Sequence, residues 1–508
     1  MGLFDFFKRE AVAPAKPPGK APNIKVGGAS RSLLQAAAAG RTEGNWQTFP
    51  TTPDAIIYQD HLRLVARSRE QCQNNDHARK FIQLVRENVA GPTGFMLNAQ
   101  VKDPNGKTDL LASKAIEEAY AVWSRKGNFD VTGSLSRADA ERLAVGSWAQ
   151  DGEFIAVFRY GKEAGPYGFA VQFIDPMLLH PMHFEPLTNG NHIRHGIEMT
   201  KEGRPVAYWV RKQDEMQIGY TIGFGGKYEV IPAENVVHAF VPELVGQKRG
   251  MPQTRTALWR MKMLQGFEDA AVTNARIAAS KMGFFRDPDA DPDDAEEIMD
   301  AEPGTFGNIG NKEFVAWDPA FPNGEFDPFV KSCLRSISSG LGVSYNNLAS
   351  DLTGVNFSSI RQGALDEREV WKGVQQWMIS AFCVPVYEKW LEYALLADKV
   401  TVFGKPLKLE RLEKYKAVTF KGRRWAWIDP SADVAAAEKL LALKLRSRTS
   451  IIAEMGNDAQ DTWEEISREE DEMDKLGVVP EPTAGSPMTQ PAKNSADYGG
   501  KGEPSGAK

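Results

Sequence analysis

The segment Asp287–Glu297 reads DPDADPDDAEE: seven carboxylates and two prolines in eleven residues. It opens a short, acidic, turn-rich run, Asp287–Gly324. On either side the pattern is helical. Thr254–Met282 is long and has little Gly or Pro, and Asp327–Leu341 carries a second helical period. Two helices flanking an acidic insertion predict a hairpin arm that projects from a body, not an ordinary two-layer domain.

Outward from this arm the character of the chain changes several times. Asp54–Val89 is helical, with Asn74–Asp76 as an expected break and cap. Leu111–Trp123 and Ser136–Gln150 also carry a helical period. From Glu153 the chain switches to strands, EFIAVFRY, FAVQFID, HIRHGIEM, RPVAYWVRK, KYEVI and NVVHAFV, which predict an antiparallel meander. Beyond the arm, Ser358–Leu396 predicts a third helix kinked at Pro385, and Val434–Leu476 a helical end. The Pro/Ala/Lys run after the first ten residues and the tail from Glu481 predict no packed structure. The fold class is α+β.

Bulk properties exclude several functions. The chain has 508 residues, 42% apolar, with a formal net charge of −6, so contact with nucleic acid would be local or loose. Cys72, Cys333 and Cys383 are too scattered for a disulfide framework or a zinc cluster and fit a reducing compartment. No apolar run reaches the roughly 18 residues of a membrane span. The start MGLFDFFKRE lacks a secretory apolar core, and Gly2 lacks the Ser/Thr of a myristoylation motif. The expectation is a soluble intracellular product.

Motifs for catalysis are weak. Asn105–Thr108 (NGKT) imitates the end of a phosphate loop, but Val101 stands where the upstream Gly is required. Gly223–Lys227 (GFGGK) reads as a hairpin turn. His180, His183, His192 and His195 fall close together, but i,i+3 pairs on strands point to opposite faces, so no metal site is expected. Ser358 and Ser359 lack a neighbouring base, and Asn356 or Ser358 is read instead as the cap of the helix that follows. Trp371, Trp377 and Trp390 suit a core or a subunit contact. The basic positions Arg255, Arg260, Lys262, Arg276 and Lys281 form either a solvated face or a lining for a phosphate backbone. No catalytic residue and no cofactor are expected.

Several phrases, taken in order, carry a resemblance. They are RSREQCQNNDHARKFIQLVRENVAGPTG (Arg67–Gly94), LAVGSWAQDGEFIAVFRY, VQFIDPMLL, HIRHGIEMTKEGRPVAYWVR and IPAENVVHAFVPELVGQKRGMPQTRTAL. EPGT, SCLRSISSGLGVSYNNLASDLTGVNFSSIRQGALDEREVW and WIDPSADVAAAEKLLALKLRSRTSIIAEMG follow. Together, from about Arg31 to Val479, they resemble the lambda-like portal proteins of tailed bacteriophages. One visible departure is Phe357, where that family usually shows Tyr.

The resemblance implies the phage portal fold, a ring-forming and usually dodecameric subunit with wing, two-helix stem, clip and crown. It would sit at one capsid vertex of the virion, after assembly in the host cytoplasm, and conduct double-stranded DNA during packaging and ejection. Its partners would be the terminase, the major capsid and scaffolding proteins, and head–tail connector proteins. On this chain the resemblance implies a flexible arm (1–30), a wing (31–253), a first stem helix (254–282), a clip (283–326) and a second stem helix (327–341). A tunnel loop (342–358), a long kinked helix (359–397), wing completion (398–430), a helical crown (431–480) and a disordered tail (481–508) would follow. Asn346, Asn347, Ser350, Thr353, Asn356 and Ser358 would line the channel, with the five basic stem positions as further lining. Asp287, Asp289, Asp291, Asp293, Asp294, Glu296 and Glu297 would form the docking surface for terminase and connector. The competing readings are a metal-dependent DNA-processing enzyme and a head-completion or adaptor protein without a channel.

Overall fold

The computed structural model describes residues 49–213, 219–220, 227–279, 283–286, 313–316, 324–427 and 430–478. The chain begins with helices α1 (Pro53–Asn74) and α2 (Asp76–Val89), strand β1 (Met96–Ala99), and helices α3 (Leu110–Trp123) and α4 (Arg137–Asp151). The break between α1 and α2 falls at Asn75, whose side chain accepts from the backbone N–H groups of His77 and Ala78 at 3.1 Å. Ser136 and Asp139 form a capping box that starts α4.

The strand-rich part comprises β2 (Glu153–Tyr160), β3 (Phe169–Ile174), β4 (Phe184–Pro186), β5 (His192–Arg194) and β6 (Ile197–Met199). It ends with β7 (Pro205–Arg211), β8 (Tyr228–Pro232) and β9 (Val236–Phe240). The expected single meander is instead two sheets among the described residues: β3-β2-β9, and the sequential meander β4-β5-β6-β7-β8. The reason lies in β2, whose first six residues are all buried. A strand covered on both faces needs a neighbour on each edge, and β9 returns to supply the second one.

Helix α5 (Leu258–Ala279), strands β10 (Gly283–Arg286) and β11 (Glu313–Ala316), and helix α6 (Phe326–Leu341) follow. Helix α5 begins four residues after the expected Thr254, because the Thr254 hydroxyl is held against Ser68 of α1 at 2.7 Å while the chain crosses the body. Next come α7 (Tyr345–Ala349), α8 (Phe357–Met378) and α9 (Val384–Leu396). The predicted kink at Pro385 is a π-helical turn, Ile379–Cys383, in which the Val384 N–H reaches back to the Ile379 carbonyl. Pro385, which has no N–H to donate, follows directly on this turn, where the regular i→i−4 ladder is already interrupted. The chain ends with β12 (Thr401–Val402), β13 (Lys405–Pro406), α10 (Leu412–Tyr415), β14 (Val418–Lys421), α11 (Pro430–Ala442), α12 (Arg448–Met455) and α13 (Ala459–Leu476). Strand β14 pairs with β1, closing the C-terminal part of the chain onto its start.

One continuous core gathers α2, α3, α4, β2, β3 and α9 around Trp123, Phe129, Phe154, Phe169, Tyr387 and Trp390. The Trp123 and Trp390 rings lie 5.8 Å apart, with Tyr120 edge-on to Trp390 at 4.9 Å. Trp371 and Trp390 are buried here and Trp377 packs against Trp148 at 5.3 Å, so all three tryptophans serve the core of their own chain.

Beneath the core lies a fully buried ion pair. Arg249 Nε donates to Glu153 Oε1 at 2.8 Å, and its other nitrogens donate to the carbonyls of Pro176, Leu179 and His195. Glu153 also accepts from the Gly250 N–H at 2.7 Å and from His238 Nε2 at 2.9 Å. Burial alone would push the Glu153 carboxyl up, but Arg249 and then His238 outweigh it and hold the group well below the usual carboxylate range. His61 donates to the Gly250 carbonyl at 3.0 Å. Two glycines permit this crossing: a Cβ on Gly152, which sits at φ +91°, would lie 2.2 Å from the Met251 backbone, and one on Gly250 would lie 2.1 Å from the Gly152 carbonyl oxygen.

Replacing Arg249 with Met leaves a buried carboxylate unpaired and should lower unfolding stability by about 3–5 kcal/mol in a denaturant titration; a loss under 1 kcal/mol would refute the assignment. Acid should weaken the same region. Burial first, then the charge of Arg249, lowers the His61 pKa to about 4 from its ordinary 6.5. The unfolded chain therefore binds more protons between those values, and stability should fall by up to roughly 3 kcal/mol as pH drops from 6.5 toward 4. Equal urea midpoints at pH 7 and pH 4.5 would contradict this.

Candidate functional site

Helices α5 and α6 run antiparallel. Thr256 Oγ1 donates to the Gly340 carbonyl at 2.7 Å near one end, Arg260 reaches Ser336 in the middle, and Phe267 stacks on Phe326 at 5.6 Å near the other. Helix α5 runs on past Phe267 to Ala279, and the chain then forms the antiparallel ladder β10–β11, in which Gly283 is in register with Ala316 and Arg286 with Glu313. Lys262 ties α5 to Glu70 of α1 at 3.4 Å.

The basic positions are unequal. Arg255 precedes the helix and pairs with Glu243, whereas Arg260 and Lys262 each have a partner in the chain yet remain exposed. Arg276 is exposed near the far end of α5. Lys281 lies outside the described residues. So do Asp287, Asp289, Asp291, Asp293, Asp294, Glu296 and Glu297, the segments 1–30 and 481–508, and most of the GFGGK turn.

The segment after α6 is built, not merely polar. Gly342 ends α6 at φ +70°, and Ser344 caps the single turn of α7. Asp351 then organises the tip: it accepts from the Tyr345 hydroxyl at 2.7 Å and from the Thr353 N–H and hydroxyl at 2.9 and 2.6 Å. These hydrogen bonds, Thr353 foremost, hold the Asp351 carboxyl well below the usual range. Arg335 of α6 lies over the Tyr345 ring at 5.5 Å. Leu348 is buried beneath the turn, and Leu352 is exposed at the tip.

The six loop residues expected to act alike therefore divide. Asn347 donates to the buried Glu367 of α8 at 2.5 Å, and Asn356 caps α8 by accepting from the Ser359 N–H at 2.8 Å. Ser358 is no loop residue: α8 starts at Phe357, because the Asn356 cap already satisfies the first free N–H groups. Thr353 is bound to Asp351 but exposed, Ser350 is exposed at φ +53°, and Asn346 is half-buried with no side-chain partner among the described residues.

The four clustered histidines have different partners. His195 is buried and donates to the Pro181 carbonyl at 2.6 Å, while His183 stacks on Tyr228 at 4.8 Å. Burial first, then Arg211, lowers the His180 pKa to about 4. His192 begins β5. Among the described residues no three His, Cys, Asp or Glu side chains converge on a metal position. Asn105–Thr108 forms an exposed turn in which the Lys107 N–H donates to Asn105 Oδ1 at 2.9 Å.

A basic cluster absent from the sequence-based expectations lies on the other side of α8. Arg368 sits over the Trp425 ring at 5.7 Å, and Arg423 reaches the Glu87 carbonyl. Burial and then the like charge of Arg423 push the Arg368 pKa down. Its sequence signal is the basic–aromatic run GRRWAW, Gly422–Trp427.

With this geometry the chain can be set beside known proteins. The family described as "Phage portal protein, lambda family" matches residues 39–375. The "Probable portal protein" of Halomonas phage phiHAP-1 is 31% identical over 480 residues, 92% of this chain and 90% of that one. "Portal protein B" of Escherichia phage lambda is 22% identical over 494 residues, 86% of this chain and 88% of that one. Among solved structures, the neck of a native GTA particle computed with C12 symmetry covers 78% of this chain and 94% of its own. It is 11% identical, with a TM-score of 0.42. From the family match and the extent of the phiHAP-1 likeness, the chain belongs to the lambda family of phage portal proteins.

Proposed function

We propose that the chain is the subunit of a ring, expected to be a dodecamer, that forms the DNA channel at one capsid vertex and conducts double-stranded DNA during packaging and ejection. Family membership carries the reading. It is supported by the antiparallel pair α5 and α6, anchored on α1 at one end, prolonged by β10–β11 at the other, and followed directly by the 342–356 loop. In this reading α5 and α6 are the stem, 283–325 the clip, 342–356 the tunnel loop and 431–480 the crown. Residues 31–253 and 398–430 make the wing. The virion is its final location, with assembly in the host cytoplasm. The chain is a conduit and not an enzyme; ATP hydrolysis belongs to the terminase.

A conduit must hold DNA without gripping it. Each phosphate neutralised adds salt-dependent affinity, and a ring multiplies the effect. A loop whose polar groups are spent on its own turn, with Asn346, Ser350 and Thr353 left at its surface, makes weak and exchangeable contacts. Asn347 and Asn356 act instead by holding the loop in shape, and Ser358 belongs to the first turn of α8.

Three measurements test this. Electron microscopy of the purified protein should show rings with an axial hole; a population of compact monomers sinks the proposal. Asn346→Lys should slow DNA packaging several-fold in a reconstituted assay by adding a phosphate contact per subunit, and unchanged translocation would count against the loop as channel lining. Reversing Asp291, Asp293 and Asp294 to Lys should weaken terminase binding more at low than at high salt. A loss independent of salt would show that the acidic run does not dock by charge.

A further inference from the structure

The last three helices are almost unburied. Helices α11 and α12 contain no buried residue, and α13 contains only Ala459. Helices of this length are marginal in water unless a partner covers an apolar face. Polar tethers hold them to the body: Arg361 to Asp433 at 2.9 Å, Lys421 to Asp458 at 3.1 Å and Lys114 to Glu464 at 2.7 Å. Yet they carry apolar surface. Leu443 and Leu445 are 68% and 69% exposed, and Trp463 and Ile466 are 48% and 45% exposed. Trp463, Ile466 and Met473 share one face of α13, with Glu470 set among them and Glu469 at its edge.

Charge divides this region into two complementary halves. Helix α13 has eight carboxylates against two cations, whereas 439–448 has four cations and no carboxylate. Arg446 is neutralised by Glu454 within the chain. Lys439, Lys444 and Arg448 are exposed and have no ion pair among the described residues.

We infer that these halves are the two sides of one subunit contact: α13 of one copy docks on the Lys439–Arg448 segment of the next, with Trp463 and Ile466 against Leu443 and Leu445. Each chain carries both an acidic–apolar and a basic–apolar patch, which favours a second copy over an unrelated partner. Because the patches are different surfaces, the contact is head-to-tail, the kind that closes into a ring. Apolar anchors rimmed by opposite charges match the anatomy of specific interfaces. The inference rests on the ring reading above.

A mixing experiment with the full chain tests it. One variant carries Glu469→Lys and Glu470→Lys, the other Lys444→Glu and Arg448→Glu, and assembly is followed by sedimentation velocity and electron microscopy. Each variant alone should need at least about tenfold more protein to assemble, and an equimolar mixture should restore assembly, because each reversed surface then meets a reversed partner. Normal assembly of either variant alone, or a mixture that stays unassembled, overturns the docking. Normal variant rings beside wild-type rings sink the docking and leave the ring reading standing. Open filaments that obey the mixing rule sink the ring and keep the docking. Circular dichroism guards against misfolding. If a reversed chain loses helix, Glu469→Gln with Glu470→Gln replaces it and should weaken assembly about threefold, with unchanged assembly counting as refutation.

Discussion

The buried contact between Glu153 and Arg249 fixes where almost every other part of this chain sits. Two ions in a dry interior gain little over an apolar pair of the same size, since desolvation offsets most of their attraction. What they gain is position. Glu153 starts β2, Arg249 lies in the connection from β9 to α5, and the guanidinium gathers three carbonyls from the segments that lead into and through the five-stranded sheet. His61 and His238 bring in α1 and β9. The path into α5 is thus set before the helix begins. An arm made of α5, α6 and a short ladder has its geometry dictated at its root, where the chain passes between Gly152 and Gly250.

Local pattern carried much of the architecture. The break at Asn75, the extent of α6 and the change to strands at Glu153 follow from caps, period and alternation within a few residues. Pairings across long separations left no such mark. Nothing near Arg249 names Glu153, and a strand pattern does not reveal that β9 returns to β2 and leaves β4 to β8 as a separate sheet. The loop shows the same limit at short range. Its polar composition was legible, but whether an asparagine faces outward or bonds to Glu367 depends on where α8 runs beside it. The acidic run on which the arm was predicted lies outside the described residues.

Electrostatics along the chain is therefore local in purpose. A net charge of −6 conceals a basic–aromatic cluster at Arg368 and Arg423, a carboxylate-rich α13 and a cationic 439–448 segment. Averaged over the molecule these cancel, and only their placement distinguishes a surface that attracts a neighbour from one that lets a polyanion pass.

The π turn at Ile379–Cys383 has a bearing on how the halves of the long helix divide their labour. One extra residue in a turn changes the phase of everything beyond it by about a quarter of a rotation. Without that offset, a helix that turned Trp371 and Met378 inward could not also present Tyr387, Trp390 and Leu391 to the aromatic core. The turn works as a phase coupling between a segment registered to the loop and a segment registered to the body. A length change of one residue there would be transmitted as rotation of α8, and so as a re-aiming of Glu367 away from Asn347.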